Sequence, residues 1–408
     1  MGPALAGEFF PGAGGLMAGR PAREREYHRS WLEVPTPAYV VEENLLRHNL
    51  EILAGGQQET GAKILLAQKC FSMQHYYPLL RQYLAGTTAS GLYEARLGFE
   101  EMGGETHVFS PAYKPEELRA LAQICDHISF NSLKQWERYG AEAQAAGVSC
   151  GLRINPEHST QDKAIYDPCA PGSRLGVRLS ELEAFPEEGL QGLEGLHFHT
   201  LCEQGAEALA ETLAAVEEGF GEFLRLPGLK WLNMGGGHHI TKPGYDLELL
   251  KACICRVRQE YGLEVYLEPG EAGALNAGFL VSEVLEVQPE QDGVANVILD
   301  TSAACHMPDV LEMPYRPPVL AGGEPGELGL TYRFGGPTCL AGDIIGEYSF
   351  AEPLQAGERV VFCDMAIYTM VKTNTFNGLP LPSIIAVDRS GDWAIVKSFG
   401  YEEFERRV

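Results

Sequence analysis

The chain has 408 residues, 45% of them hydrophobic, which is enough to bury at least one large core and leads us to expect two domains. A formal net charge of −25 and a pI near 4.8 exclude a nucleic-acid partner, because neutralising phosphates needs a basic surface; small cations would be drawn in instead, although acidity serves solubility equally well. Ten scattered cysteines without a CxxC pair point to a reducing cytoplasm rather than a disulfide framework or zinc ribbon, and no apolar run approaches the roughly 20 residues of a membrane span.

Residues 1–33 are rich in Gly, Ala, Pro and Arg without periodicity and read as a loose extension, with no secretory signal pattern. A strand follows over 36–42, assigned to the later β domain, and Leu46, Leu50 and Leu53 then recur at helical spacing. Next come short apolar strands separated by helix-like segments: 63–69, 86–91, 106–111, 127–132, 150–156, 195–200, 231–237 and 265–270. Eight strand-then-helix units predict a closed (β/α)8 barrel over residues 34–275; an open doubly wound sheet lacks its usual GxGxxG turn. From 276 to 408 the texture changes to β-branched runs broken by Gly and Pro (FLVSEVLEV, NVILDTS, ERVVFCDM, WAIVKSF), which predict a C-terminal β domain.

Catalytic groups in such a barrel sit at the C-terminal ends of its strands, and those ends carry Lys69, Asn131, Arg153, His199, Gly235–Gly237 and Glu268. An ammonium at the end of an apolar strand is costly unless paired or modified, so Lys69 is either salt-bridged or a Schiff-base lysine. The three glycines after strand seven lie where barrels commonly hold a phosphate, and equally suit a tight turn. Glu268 after strand eight can protonate a pyridine nitrogen or cap the next turn. His197 and His199 alternate to one face, which permits a metal reading, but metal-dependent amidohydrolases carry their HxH pair on the first strand; an imidazole stacked on a cofactor ring is the better use of His199. His238 and His239 fit phosphate contacts or a surface loop.

The segments LAQK ending at Lys69, TTASGLYE through Glu94, LRINP with Arg153, HFHTLCE, NMGGG, EPGEAG, CHMPDVLEMPYRP, GGPTCLAGD and MAIYTMVKTNTFNG together resemble the barrel pyridoxal-phosphate (PLP) decarboxylases, the fold-type III group that includes ornithine and diaminopimelate decarboxylases. The likeness runs from about Val34 to the C-terminus and is strongest to the carboxynorspermidine (carboxyspermidine) branch. It implies a PLP Schiff base on Lys69, His199 stacked on the ring and Glu268 at the ring nitrogen. It further implies that Gly235, Gly236, Gly237, Gly270 and Tyr368 hold the phosphate, with Glu94 and Arg153 supporting. A homodimer is implied in which Cys339, the proton donor, and Asp343 enter the partner's site.

Two departures from the diaminopimelate branch bear on substrate. Where that branch has arginines for a distal carboxylate, this chain has Glu271 and Glu312, so the site should accept a distal ammonium, aided by Asp309 and Asp343. A polyamine-type amino acid is the expected substrate, and diaminopimelate the rival. Where relatives carry a phosphate-binding Gly-Ser pair, Leu201 and Cys202 stand here, and a thiol is a weak donor.

Overall fold

The computed structural model describes residues 29–161 and 164–408, so most of the loose extension expected over 1–33 lies outside the described residues. Its last five residues, Arg29–Glu33, instead form a 3-10 turn in which Trp31 is buried and stacks on Phe279 at 4.7 Å. The chain forms two compact units, Asn49–Gly273, and the segment up to His48 with Ala274–Val408.

In the second of these, β1 (Ala38–Glu42) is buried along its whole length and lies between β11 (Gly278–Val287), to which it is antiparallel, and β16 (Ser383–Val387), to which it is parallel. The sheet extends from β11 through β12 (Ala295–Leu299) and β13 (Leu330–Gly335) to β14 (Ile344–Phe350), and from β16 to β17 (Trp393–Lys397); β15 (Arg359–Cys363) also pairs with β11. Its core gathers Tyr39, Leu280, Val297, Phe334, Tyr348 and Phe362. Strands β13, β14 and β16 were not among the stretches singled out in the sequence, although LTYRFG in β13 alternates apolar and polar residues. Arg333 and Glu347 face each other across β13 and β14 at 2.6 Å as a cross-strand pair.

The other unit is the expected barrel. Its strands are β2 (Lys63–Ala67), β3 (Gly86–Ala89), β4 (Glu105–Phe109), β5 (His127–Phe130), β6 (Ser149–Asn155), β8 (Gly195–His197), β9 (Trp231–Asn233) and β10 (Glu264–Leu267). All pair in parallel in that order, and β10 returns to β2; the short β7 (Val177–Arg178) adds to β6 outside the circle.

Helices fill the connections because their apolar residues recur on one side. Leu209, Leu213, Val216 and Phe220 bury the inner face of Ala206–Phe220. Leu247–Tyr261 starts at Asp246, whose side chain accepts from Leu249 N, and stops at Gly262 with φ +69°.

At the N-terminal end of the barrel the interior is plugged by rings. His107 stacks on His127 at 4.0 Å, and His127 on Trp231 at 4.8 Å. Gly195 makes room for this layer, since a Cβ there would lie 2.0 Å from Trp231 Cε2. The plugged end leaves the opposite, C-terminal end for chemistry.

Candidate active site

A cavity of about 320 Å³ opens at the C-terminal ends of the barrel strands, lined by Lys69, Thr88, Phe109, Arg153, His197, His199 and Glu268 among others. Lys69 stands two residues beyond β2 in a turn closed by Cys70 N donating to Ala67 O at 3.1 Å. The next two residues, Cys70 and Phe71, are wholly buried, which pins the turn and leaves the Lys69 side chain exposed at the cavity. Glu94 is close enough to feel the Lys69 charge; burial raises its pKa, against the Ser90 amide that donates to its carboxylate at 2.6 Å and the Lys69 ammonium.

Arg153, on β6, is buried, and burial pushes its pKa down to about 10. It lies over the Phe109 ring at 4.6 Å and donates to His199 O at 3.0 Å; among the described residues no carboxylate lies within 4.0 Å of it. Two cations facing one cavity, Lys69 and Arg153, suit an anionic guest better than a metal dication, even though His197, His199 and Glu268 have ligand atoms within 4.8 Å of one another.

His199 is kept neutral by burial and by the nearby Lys69 and Arg153 charges. Its Nδ1 accepts from Gly236 N at 3.1 Å, which fixes the ring. Gly235 N is likewise engaged, donating to Asn233 Oδ1 at 2.8 Å. Two of the three glycine amides therefore serve the strand end itself. Glycine is required there by close packing: at Gly235 (φ +68°) a Cβ would meet Phe198 O at 2.4 Å, and at Gly237 (φ +81°) Leu201 O at 2.1 Å. Gly270, which opens the short helix Gly270–Ala274, packs so closely that a Cβ would lie 2.8 Å from that of Cys70. His238 and His239 do not form a surface loop. Both are buried, His238 Nε2 near Met234 O at 3.2 Å and His239 Nε2 paired with Glu271 Oε2 at 2.9 Å.

Glu268, just past β10, is 8% exposed. Burial alone would raise its pKa, but His197, Asn233, His107 and Thr88 together hold it below the usual carboxylate range. Asn233 Nδ2 donates to Oε1 at 2.7 Å while its own Oδ1 takes Gly235 N, so one side chain orients both the carboxylate and the glycine run. Sequence reading passed over Asn233 and gave His197 no role of its own; their inward register beside GGG and two residues before His199 was the available signal.

The remaining expected residues lie in the other unit. Cys339 is exposed on a loop, its amide donating to Asn377 Oδ1 at 2.8 Å. Asp343 is buried and accepts from Ser302 Oγ at 2.9 Å, Ala304 N at 3.1 Å and Thr338 Oγ1 at 2.7 Å. A carboxylate so engaged braces the loop that carries Cys339. Asp309 and Glu312 share the ammonium of Lys372, which is 2.5 Å from Glu312 Oε2. Tyr368 sits at φ +48°, a strained backbone for a bulky residue of the kind that clusters at functional sites.

Residues 38–366 match the family model described as pyridoxal-dependent decarboxylase, C-terminal sheet domain. The chain is 44% identical to a carboxyaminopropylagmatine decarboxylase of Synechocystis sp., over 92% of this chain and 96% of that one. It is 41% identical to a carboxynorspermidine/carboxyspermidine decarboxylase of Campylobacter jejuni, over 92% and 99%. Among solved structures, a carboxynorspermidine decarboxylase from Campylobacter jejuni, complexed with norspermidine, superposes with a TM-score of 0.85 at 40% identity, covering 92% of this chain and all (100%) of that one. A diaminopimelate decarboxylase from Helicobacter pylori shares the fold, with a TM-score of 0.76 at 17% identity and coverage of 92% and 98%.

Proposed function

Because the chain belongs to the pyridoxal-dependent decarboxylase family, we propose that it removes the α-carboxylate of carboxynorspermidine or carboxyspermidine, releasing norspermidine or spermidine. The observation that carries the reading is one cavity that brings the Lys69 amine together with a buried, ionised Glu268 carboxylate. This donor set fits pyridoxal 5'-phosphate: an amine for its aldehyde, a carboxylate for its ring nitrogen and a neutral imidazole, His199, for its ring face. Bound there, the cofactor supplies an electron sink for the electron pair left at the α-carbon when CO2 departs.

The protein's own residues do the rest. Lys69 would hold the cofactor through its amine, and Glu94 lies close enough to feel the charge of that amine. Glu268 keeps a proton on the ring nitrogen because Asn233 and its other neighbours hold it ionised. Gly237 and Gly270, in the loops after strands seven and eight, would receive the phosphate, and Gly235 and Gly236 shape the first of those loops. Arg153 adds positive charge to the anion-binding cavity. Cys339 returns a proton to the α-carbon from the partner subunit of a homodimer.

Glu271, at the C-terminal end of the barrel, carries the charge that would repel a distal carboxylate and attract a distal cation. The 44% identity to a carboxyaminopropylagmatine decarboxylase favours a second reading, in which the tail ends in the agmatine group. Steady-state kinetics on these three substrates and diaminopimelate decide the tail. Lys69→Ala should abolish both CO2 release and the absorbance of bound cofactor; wild-type turnover by that variant would overturn the proposal.

A further inference from the structure

His197 is wholly buried at the end of β8, yet among the described residues neither of its ring nitrogens has a hydrogen-bond partner. Buried polar atoms are nearly always paired, and an orphan in a functional cavity marks a group arranged for something else. The ring lines the same cavity as Lys69 and Glu268, and Phe109 holds it edge-on at 5.4 Å. Its Nε2 lies 3.7 Å from Glu268 Oε2, just beyond hydrogen-bond reach. The other oxygen of that carboxylate is already taken by Asn233 at 2.7 Å. Contacts of this kind are often long in an unliganded site and tighten when the ligand arrives.

From this juxtaposition we infer that His197 is a positioning residue for Glu268: its neutral ring, protonated on Nε2, donates to Oε2 and fixes the carboxylate so that the proton shared with the cofactor's ring nitrogen stays on the nitrogen. Each neutral donor from which the carboxylate accepts makes it less basic, so that it takes that proton less readily. The charges around His197 agree with a neutral donor. Burial holds its pKa down to about 4, the facing Glu268 opposes this, and Arg153, Lys69 and His107 add to it. An imidazolium would cancel the charge of Glu268 instead of orienting it.

The inference rests on the assignment of Glu268 to the ring nitrogen, and the test separates the two. The holoenzyme is reconstituted with cofactor labelled with 15N in the ring, and the ring-nitrogen shift is read in the wild type, Glu268→Gln, His197→Phe and His197→Gln. The wild type should show a protonated nitrogen. His197→Phe should move the resonance toward the unprotonated value and lower kcat about tenfold to a hundredfold with KM little changed, the range for residues that orient a functional group through a hydrogen bond. His197→Gln, which keeps an N–H at similar reach, should restore both. The histidine side-chain 15N spectrum of the unsubstituted holoenzyme should show His197 as the Nε2–H tautomer, a readout that does not depend on any variant folding. If Glu268→Gln shifts the ring nitrogen but His197→Phe does not, or if His197 is the other tautomer, the inference on His197 fails alone. If Glu268→Gln leaves the ring nitrogen unchanged, the assignment of Glu268 fails with it.

Discussion

Replacing Glu268 by Gln tests the proposed chemistry most directly, because it removes a charge and leaves the shape. In the wild type the carboxylate is 8% exposed, takes Asn233 Nδ2 at 2.7 Å and is held ionised by its surroundings. Glutamine can still accept from Asn233, so the strand ends and the glycine run keep their hydrogen bonds. The interaction lost is the charged one to a protonated ring nitrogen in a dry site, worth about 2 to 4 kcal/mol for a buried charge pair or charge-assisted hydrogen bond. At 1.36 kcal/mol per decade of rate this is a loss of roughly 30-fold to 900-fold. It should fall on kcat, since charge accumulates in the ring only as the carboxylate leaves. The assay is steady-state CO2 release, normalised to cofactor occupancy measured by absorbance. A variant with full occupancy and activity within about threefold of wild type would refute the role of Glu268, whatever became of KM.

Three further outcomes follow from the geometry. Gly195→Ala would place a Cβ 2.0 Å from Trp231 Cε2 in the ring layer that plugs the barrel, and should cost about 1 to 3 kcal/mol, read as a lower denaturant midpoint; an unchanged midpoint would show that the layer yields easily. Asp343→Ala strips the acceptor from Ser302 Oγ, Ala304 N and Thr338 Oγ1, and should loosen the loop that carries Cys339, read as faster thiol labelling and a lower Tm. Burial pushes His197, His238 and His306 each down to about 4 from 6.5, so the unfolded chain binds their protons first. Stability is then complete above about pH 6.5 and falls toward pH 4, by at most ~1.4 kcal/mol per pH unit per histidine. Denaturant titrations at pH 7, 6 and 5 measure this; His306→Gln should reduce the slope by one proton, and a flat profile would contradict the burial of these rings.

The barrel was legible in the chain because each stave is a short apolar run bounded by polar residues and followed by a helix with a clear inner face, a pattern that local sequence encodes completely. Lys69, His199, the glycine run and Glu268 were legible for the same reason: each sits at a strand end, and strand ends in a closed parallel barrel converge whatever the loops do. Local pattern could not show which atoms each side chain meets. It could not show that Gly235 and Gly236 spend their amides on Asn233 and His199, that Asp343 is enclosed by three donors, or that Lys372 stands between Asp309 and Glu312. Arg333 and Glu347 occupy polar positions of β13 and β14, and only the sheet places them opposite each other. Hydrophobic period is a property of neighbours in the chain, whereas a hydrogen-bond partner, a pKa and an orphaned nitrogen such as those of His197 belong to groups tens or hundreds of residues apart, and only the folded chain brings them within reach.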